Sequence, residues 1–112
     1  MKRLSTIIEQ LYRRHLPDIE KNNITFDLDF TDTTINISDP ERLEMDLSRN
    51  LRDAIARAKN SKLSVIVKKD HIEIKDDGKI LSKSACNLLC KEFVTVKSRV
   101  GFGNTVIIRF QD

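Results

Sequence analysis

SDPERLEMDLSRNLRDAIARAK, residues 38–59, is the strongest helix signal in the chain. Apolar residues recur in it at spacings of three and four: Leu43, Leu47, Leu51, Ile55 and Ala58. At 100° per residue they form one stripe, which predicts a helix that packs against a core. Ser38 followed by Glu41 predicts a capping box, and Pro40 suits the first helical turn.

A polar flank runs beside that stripe. It consists of Asp46, Asn50, Asp53 and Arg57, spaced at i, i+4, i+7 and i+11. Polar groups at a buried boundary need partners, which are either other protein groups or a bound ligand. Two interpretations are therefore open. One is an internal Asp53–Arg57 pair with a satisfied Asn50; the other is a binding site.

Size and composition favour one small soluble domain spanning residues 1–112. The chain is 39% hydrophobic and 33% charged, with a formal net charge of +3 and interspersed charges. No apolar run approaches the roughly 20 residues of a membrane span. The basic N-terminus lacks the apolar segment of a signal peptide, so we expect a cytoplasmic protein. Cys86 and Cys90 match no disulfide framework or metal site, and we expect buried or half-buried thiols.

The rest of the chain predicts the order α-β-β-α-β-β-α-β-β. The helices are expected at 3–20, 38–59 and 82–91, and the strands at 24–30, 34–37, 63–68, 71–75, 93–98 and 105–110. Pro17 is expected to kink or end the first helix, Leu88 to face the core, and residues 31–33 to form a turn. Short connections and alternating strands predict a two-layer α/β (α+β) sandwich. Its sheet is mixed, mostly antiparallel, and covered on one face by three helices.

Three segments in register resemble the catalytic ATP-binding domain of sensor histidine kinases, in the GHKL ATPase superfamily. Residues 39–55 resemble the N-box helix, D-P-x-R-L followed by N-L-L-x-N-A-I. Residues 72–78, I-x-I-x-D-D-G, are similar to the G1 strand and turn. Residues 96–110 resemble the terminal hairpin, v-x-S-x-x-G-x-G-T-x-F. The resemblance covers nearly the whole chain and implies the histidine-kinase-ATPase-like fold.

The resemblance also implies a nucleotide site with ATP or ADP and magnesium. Asp76 stands where the family's carboxylate accepts a hydrogen bond from the adenine amino group. Asp53 stands at the magnesium-ligand position and keeps an oxygen donor. The residues that the resemblance assigns to cofactor binding are Asn50, Asp53, Asp76, Gly78, Gly101, Gly103, Asn104 and Thr105. None is assigned as catalytic.

Departures from the family pattern imply that nucleotide binding is weak or lost. The second G1 glycine is replaced by Lys79-Ile80, and no glycine lies between Gly78 and Gly101. The glycine-rich lid, whose backbone N–H groups meet phosphates in the family, is therefore missing. No phospho-acceptor motif surrounds His15 or His71, which we expect to be surface or structural residues. About 23 residues before the first strand are too few for a His-bearing hairpin.

Three functions remain open. The leading hypothesis is a stand-alone, degenerate histidine-kinase-like domain that binds protein in two-component or phosphorelay signalling. Its partner would be a response regulator or a kinase helical hairpin, and a homodimer is also compatible. The alternative is an ATP- or ADP-binding kinase domain whose partner supplies the acceptor His. A small basic nucleic-acid-binding domain is the third, disfavoured because the phenylalanines are mostly at inward strand positions.

Overall fold

The computed structural model describes residues 1–30 and 34–110. The elements of these residues follow the order β1 (Lys2–Arg3), α1 (Leu4–Lys21), β2 (Thr25–Asp29), β3 (Asn36–Ile37), α2 (Pro40–Arg57), β4 (Lys62–Val67), β5 (His71–Asp76), α3 (Lys83–Leu89), β6 (Val94–Arg99) and β7 (Gly103–Arg109). The turn predicted at residues 31–33 lies outside the described residues.

The main sheet has five strands in the order β2-β4-β5-β7-β6. β2 and β4 run parallel because α2 carries the chain back to the starting end of the sheet, whereas the other three pairs are antiparallel. β4–β5 and β6–β7 are hairpins joined by short turns. In the register between β5 and β7, Asp76 pairs with Asn104. Both residues are buried, so their polar side chains lie next to each other at one end of the sheet.

The hydrophobic core lies between the helices and one face of the sheet. The predicted stripe of α2 is buried, with Leu43 and Leu47 at 0% exposure. Along the central strands, alternate residues such as Ile72 and Ile108 are also at 0%. The residues between them, among them Glu73, are only partly covered because the opposite face of the sheet carries no helix. The predicted two-layer α/β sandwich is thereby confirmed.

The short helix α3 presents a different face from the predicted one. Cys86 is buried and Leu89 packs against the core, but Leu88 is 77% exposed. A helix of two turns that lies on β6 buries one narrow face, and Cys86 and Leu89 share it at a spacing of three. The inward position predicted for Leu88 is therefore wrong. Cys86 and Cys90 are free thiols, buried and half-buried as predicted.

Three details outside the main sheet also differ from the sequence-based expectations. The strand β1, which was not predicted, pairs with β3 in a separate two-stranded sheet. α1 continues through Pro17 and ends at Lys21, with Asn22 as its C-cap. The N-cap of α2 is Asp39 rather than Ser38, and its side chain accepts a hydrogen bond from the Arg42 N–H. The cap lies there because Pro40, which has no N–H, takes the first helical position.

Candidate functional site

Asp76, the last residue of β5, is a buried carboxylate with three protein donors. Its Oδ1 accepts hydrogen bonds from the Gly78 backbone N–H and from Asn104 Nδ2, both at 2.9 Å. Its Oδ2 accepts one from Arg57 Nε at 3.1 Å. The Asp76 side chain has 0% exposure, so these donors replace the water that a carboxylate would otherwise bind.

Arg57 reaches Asp76 from the last turn of α2. Besides the bond from Nε, its Nη2 lies 3.1 Å from the same oxygen, and the side chain is 13% exposed. Nη2 has no partner with hydrogen-bond geometry among the described residues, so Nε carries the directional contact. The predicted Asp53–Arg57 pair is therefore wrong. Arg57 is instead the counter-ion of a carboxylate on the neighbouring strand of the core.

Asn104 organises the other side of this cluster and has 0% exposure. Its Nδ2 donates to Asp76 and to the Lys79 carbonyl, while its Oδ1 accepts from the Leu81 N–H and from the Ser98 hydroxyl. All of its amide hydrogens and oxygen lone pairs thus have partners. The segment after β5 is tied down by these bonds and packs against the β6–β7 hairpin.

Two glycines permit the close packing around Asp76. A Cβ on Gly78 would lie 2.3 Å from the Arg57 carbonyl oxygen, and a Cβ on Gly103 would lie 2.3 Å from the Asp76 carbonyl oxygen. Gly103 also has φ +82°. Both positions need glycine because no side chain fits between the backbones. Here the glycines allow backbone to pack on backbone.

The remaining predicted site residues do not join this cluster. Asn50 is buried, but its Nδ2 donates to the Asp46 carbonyl at 2.7 Å within α2. Gly101, with φ +87°, shapes the β6–β7 turn, and a Cβ at this position would meet nothing within 4 Å. Thr105 faces the opposite side of the sheet, beside Lys75 and Lys97. The structure therefore unites Asp76, Gly78, Gly103 and Asn104, and adds Arg57 and Ser98 to them.

Asp53 is half-buried on α2 and makes no hydrogen bond or ion pair with any described residue. Across residues 1–30 and 34–110, no group of three or more His, Cys, Asp or Glu residues could hold a metal ion. A metal at Asp53 would therefore depend on ligands from a bound molecule or a partner. Its assignment as a magnesium ligand stays a prediction.

Both histidines make structural contacts. His15 is buried on α1 and its Nε2 lies 3.1 Å from Ser48 Oγ on α2. Burial, reinforced by the nearby Arg14 charge, lowers the pKa of His15. His71 lies between Asp70 and Glu73, at 2.7 and 3.0 Å. Desolvation lowers the pKa of His71, but the hydrogen bonds to these two carboxylates outweigh it and raise the pKa overall.

An open groove of about 350 Å³ lies beside the cluster. It is lined by Asp77, Gly78, Ile80, Gly101, Phe102 and Gly103. Asp76 is not among the lining residues. Phe102 lies in the turn predicted at residues 101–104 and is 73% exposed. The ring lies in the β6–β7 turn beyond the sheet, where the guanidinium of Arg99 stacks on it at 4.7 Å.

Arg57 and Ser98 are the site residues whose contacts the sequence did not reveal. Arg57 was visible as part of the polar flank, and Ser98 as part of the terminal motif. Their partners, however, are 19 and 6 residues away along the chain. Residue spacing along a helix indicates only pairs about one turn apart, and Asp53 is the carboxylate one turn before Arg57.

Comparisons with known proteins give a structural result but no sequence family. No family model and no curated protein matches this chain. The nucleotide-free catalytic domain of histidine kinase ThkA matches with a TM-score of 0.78 at 15% identity, over 98% of each chain. The cytoplasmic segment of histidine kinase QseC matches with a TM-score of 0.73 at 16% identity, over 98% of this chain and 76% of that one.

Longer kinase structures contain the same fold as one part. Histidine kinase AdeS of Acinetobacter baumannii matches with a TM-score of 0.70 at 16% identity, over 99% of this chain and 66% of its own. ThkA in complex with the response regulator TrrA matches with a TM-score of 0.74 at 16% identity, over 99% of this chain. This chain spans 41% of that ThkA chain. The protein thus has the fold of histidine kinase catalytic domains, as the motifs implied. No helix among its described residues is long and apolar enough to cross a membrane.

Proposed function

We propose that this domain is a degenerate histidine-kinase-like domain that binds a protein partner in two-component or phosphorelay signalling. The observation that carries the proposal is the set of protein hydrogen bonds that the Asp76 carboxylate accepts. The resemblance assigns that carboxylate to the adenine amino group. In this chain both of its oxygens already accept hydrogen bonds from the protein.

Adenine does not fit this arrangement. Because the Asp76 side chain has 0% exposure, a nucleotide could reach Oδ2 only by displacing Arg57, which would leave a guanidinium that is 13% exposed without its counter-ion. Removing one partner from a buried ion pair costs about 3–5 kcal/mol. That is of the same order as the whole binding free energy of a millimolar ligand, about 4 kcal/mol. The internal pair therefore outcompetes a weakly bound nucleotide.

The phosphate end of the family's site is reduced as well. Only residues 77–82 connect β5 to α3, and only residues 90–93 connect α3 to β6. Leu81 in the first connection is fixed by its N–H bonds to Ser98 and Asn104. These short, anchored connections leave no segment that could close over a triphosphate. Of the three glycines, Gly78 and Gly103 are used for backbone packing.

Without a nucleotide, this fold would act through a protein partner. ThkA, whose catalytic domain has the same fold, forms a complex with a response regulator. By analogy, we expect this domain to bind a response regulator or the helical hairpin of a histidine kinase. Docking of this kind needs a stable scaffold and a specific surface, and it does not need a nucleotide.

The second candidate is a nucleotide-binding domain completed by a partner. The unpaired Asp53 carboxylate favours it, since a hard oxygen ligand is free to meet a metal–nucleotide complex. A partner would have to supply both the phosphate contacts and the acceptor His.

Calorimetric titration of Mg-ATP and Mg-ADP into the purified chain separates these candidates. We expect no heat at millimolar nucleotide. Saturable binding that disappears in Asp76→Asn would overturn the degenerate assignment and favour the second candidate.

The docking role is tested by titrating the chain with purified response regulators and kinase hairpins from its own source organism. We expect one of them to bind at micromolar concentration with or without Mg-ATP. If none of them binds, the proposed signalling role is wrong.

A further inference from the structure

A groove of about 560 Å³ lies on the outer side of the helical layer, where α1 and α2 pack together. It is lined by Arg14, Glu41, Glu44, Met45, Ser48, Arg49 and Arg52. We infer that this groove, called here the arginine groove, binds an acidic amphipathic helix of a partner protein. None of its lining residues belongs to the Asp76 cluster, so it is a separate surface.

The three arginines of the groove are unpaired. Arg14 comes from α1, and Arg49 and Arg52 from α2; all three are exposed. None has a hydrogen bond or an ion pair with any described residue. Other arginines of these helices are paired, Arg13 with Glu9 and Arg42 with Asp46. Three unpaired guanidinium groups in one groove attract carboxylates and offer them bidentate hydrogen bonds.

The three arginines line one groove although they come from two helices. The contact between His15 and Ser48 joins α1 to α2 at the floor of this region. The charges of both Arg14 and Arg52 act on His15, although they come from different helices. A ligand that follows the contact line between the helices can therefore meet guanidinium groups from both sides.

The groove is not uniformly basic, and this favours a protein ligand over a nucleic acid. Glu41 and Glu44 line its other end, at the N-terminal turns of α2. Lys2 neutralises Glu44 at 2.8 Å, but Glu41 has no ion-pair partner among the described residues. A polyanion with evenly spaced phosphates would meet this carboxylate, whereas a peptide can place its acids at the arginine end alone.

The shape and the apolar content favour a helix. Glu41 and Arg52 are eleven residues apart on α2, which corresponds to roughly 16 Å or three helical turns. Met45 lies between them and is 61% exposed. Its flexible apolar side chain is therefore available to contact a ligand. A helix of three to four turns laid along the groove can cover Met45 with an apolar side chain and place carboxylates at i, i+3 and i+4 near the arginines. That the ligand is a protein rests on the proposed function.

The probe for this inference is a fluorescein-labelled helical peptide of about 16 residues. It carries Glu on one face of its last two turns, Leu beside it, and Lys in its first turn. A second peptide of identical composition distributes the Glu residues around the helix. Fluorescence anisotropy measures the affinity of each for the full chain, in low salt and in physiological salt.

The variant Arg14→Gln/Arg49→Gln/Arg52→Gln removes the three charges of the groove. Its matched control, Arg13→Gln/Lys21→Gln/Lys59→Gln, removes three exposed positive charges outside the groove. Both variants have the same net charge, and circular dichroism checks the fold of each. We expect the patterned peptide to bind the wild type and the control at micromolar concentration, and the groove variant at least tenfold more weakly.

Four results would overturn the inference: no binding of the patterned peptide, equal binding of the permuted peptide, an equal loss in both variants, or tighter groove-dependent binding of a thymidine oligonucleotide. Repeating the response-regulator titration with the groove variant separates this inference from the proposed function. A regulator that binds both proteins equally refutes the groove and leaves docking intact. If the patterned peptide binds but no response regulator does, the signalling role is refuted and the arginine groove remains supported.

Discussion

Arg57 Nε lies 3.1 Å from Asp76 Oδ2 and joins the last turn of α2 to the end of β5. This pair closes one end of the core, because Asp76 is also bonded to Asn104 on β7 and to the turn at Gly78. Three elements of the sandwich meet at a single carboxylate.

The first prediction concerns the stability that depends on this pair. Arg57→Ala leaves Asp76 buried with two of its three donors, and we expect a loss of about 3 kcal/mol in the free energy of unfolding. Arg13→Ala, which breaks the exposed pair with Glu9, should cost less than about 1 kcal/mol. Urea unfolding of both variants measures the difference. Similar losses in the two would show that Arg57 is not a buried counter-ion.

The second prediction tests the proposal that Arg57 takes the place of adenine at the Asp76 carboxylate. In Arg57→Ala, Asp76 Oδ2 becomes free to accept a hydrogen bond, so adenosine should bind at millimolar concentration. If the phosphate-binding segment is lost, as we propose, ATP should bind no more tightly than adenosine. Chemical shift changes in nuclear magnetic resonance spectra follow both ligands. Equal adenosine binding by the wild type would contradict the proposed competition between Arg57 and adenine, and much tighter binding of ATP would contradict the proposed loss of the phosphate site.

The third prediction uses two glycines of similar conformation. Gly101 and Gly103 have φ of +87° and +82°, so alanine is strained at both and should cost about 1–2 kcal/mol for this reason. At Gly103 the new Cβ would also lie 2.3 Å from the Asp76 carbonyl oxygen, whereas at Gly101 it meets nothing within 4 Å. Gly103→Ala should therefore destabilise the protein clearly more than Gly101→Ala in urea unfolding. The reverse order would refute the packing described around Asp76.

The fourth prediction concerns pH. The pKa of His15 is lowered from its ordinary 6.5, so the unfolded state takes up the proton first and stability falls as the pH drops below 6.5. The pKa of His71 is raised from 6.5, so its contribution is fully present below pH 6.5 and is lost as the pH rises through the folded-state value. The two effects oppose each other.

Single variants separate these contributions. As the pH falls from 8 to 5.5, the free energy of unfolding should decrease more steeply in His71→Gln than in the wild type, and less steeply in His15→Gln. Urea unfolding at half-unit intervals of pH gives the slopes, in a range where ordinary carboxylates stay ionised. Parallel profiles of the wild type and both variants would contradict the opposing shifts.

Much of the fold followed from local sequence patterns. The stripe of α2 predicted a buried helix, and strict alternation in residues such as Ile72 and Ile74 predicted strands with one buried face. These patterns are local because each depends only on the side-chain period of one element, which is about 3.6 residues in a helix and 2 in a strand. The burial of apolar side chains away from water then selects the inward face. The quoted motifs then placed these elements in the histidine kinase catalytic fold.

The candidate site was predictable only in part. Asp76, Gly78, Gly103 and Asn104 were assigned from motifs, and the structure brings them together. Thr105 was assigned from the same hairpin, but it lies on the opposite face because neighbouring residues of a strand point in opposite directions.

The sequence by itself determined the three helices, the strands of the main sheet, the layer that each would join and the motif residues at the end of the sheet. Only the tertiary structure decided that Arg57 pairs with Asp76 rather than Asp53, that Leu88 faces solvent, and that three arginines line one groove. These outcomes depend on where separate elements meet in space, and the charged groups involved find partners through packing between elements. Arg57 lies one helical turn from Asp53, but the packing of α2 on β5 places its guanidinium beside Asp76. Because Asp76 is buried there, its charge needs that partner.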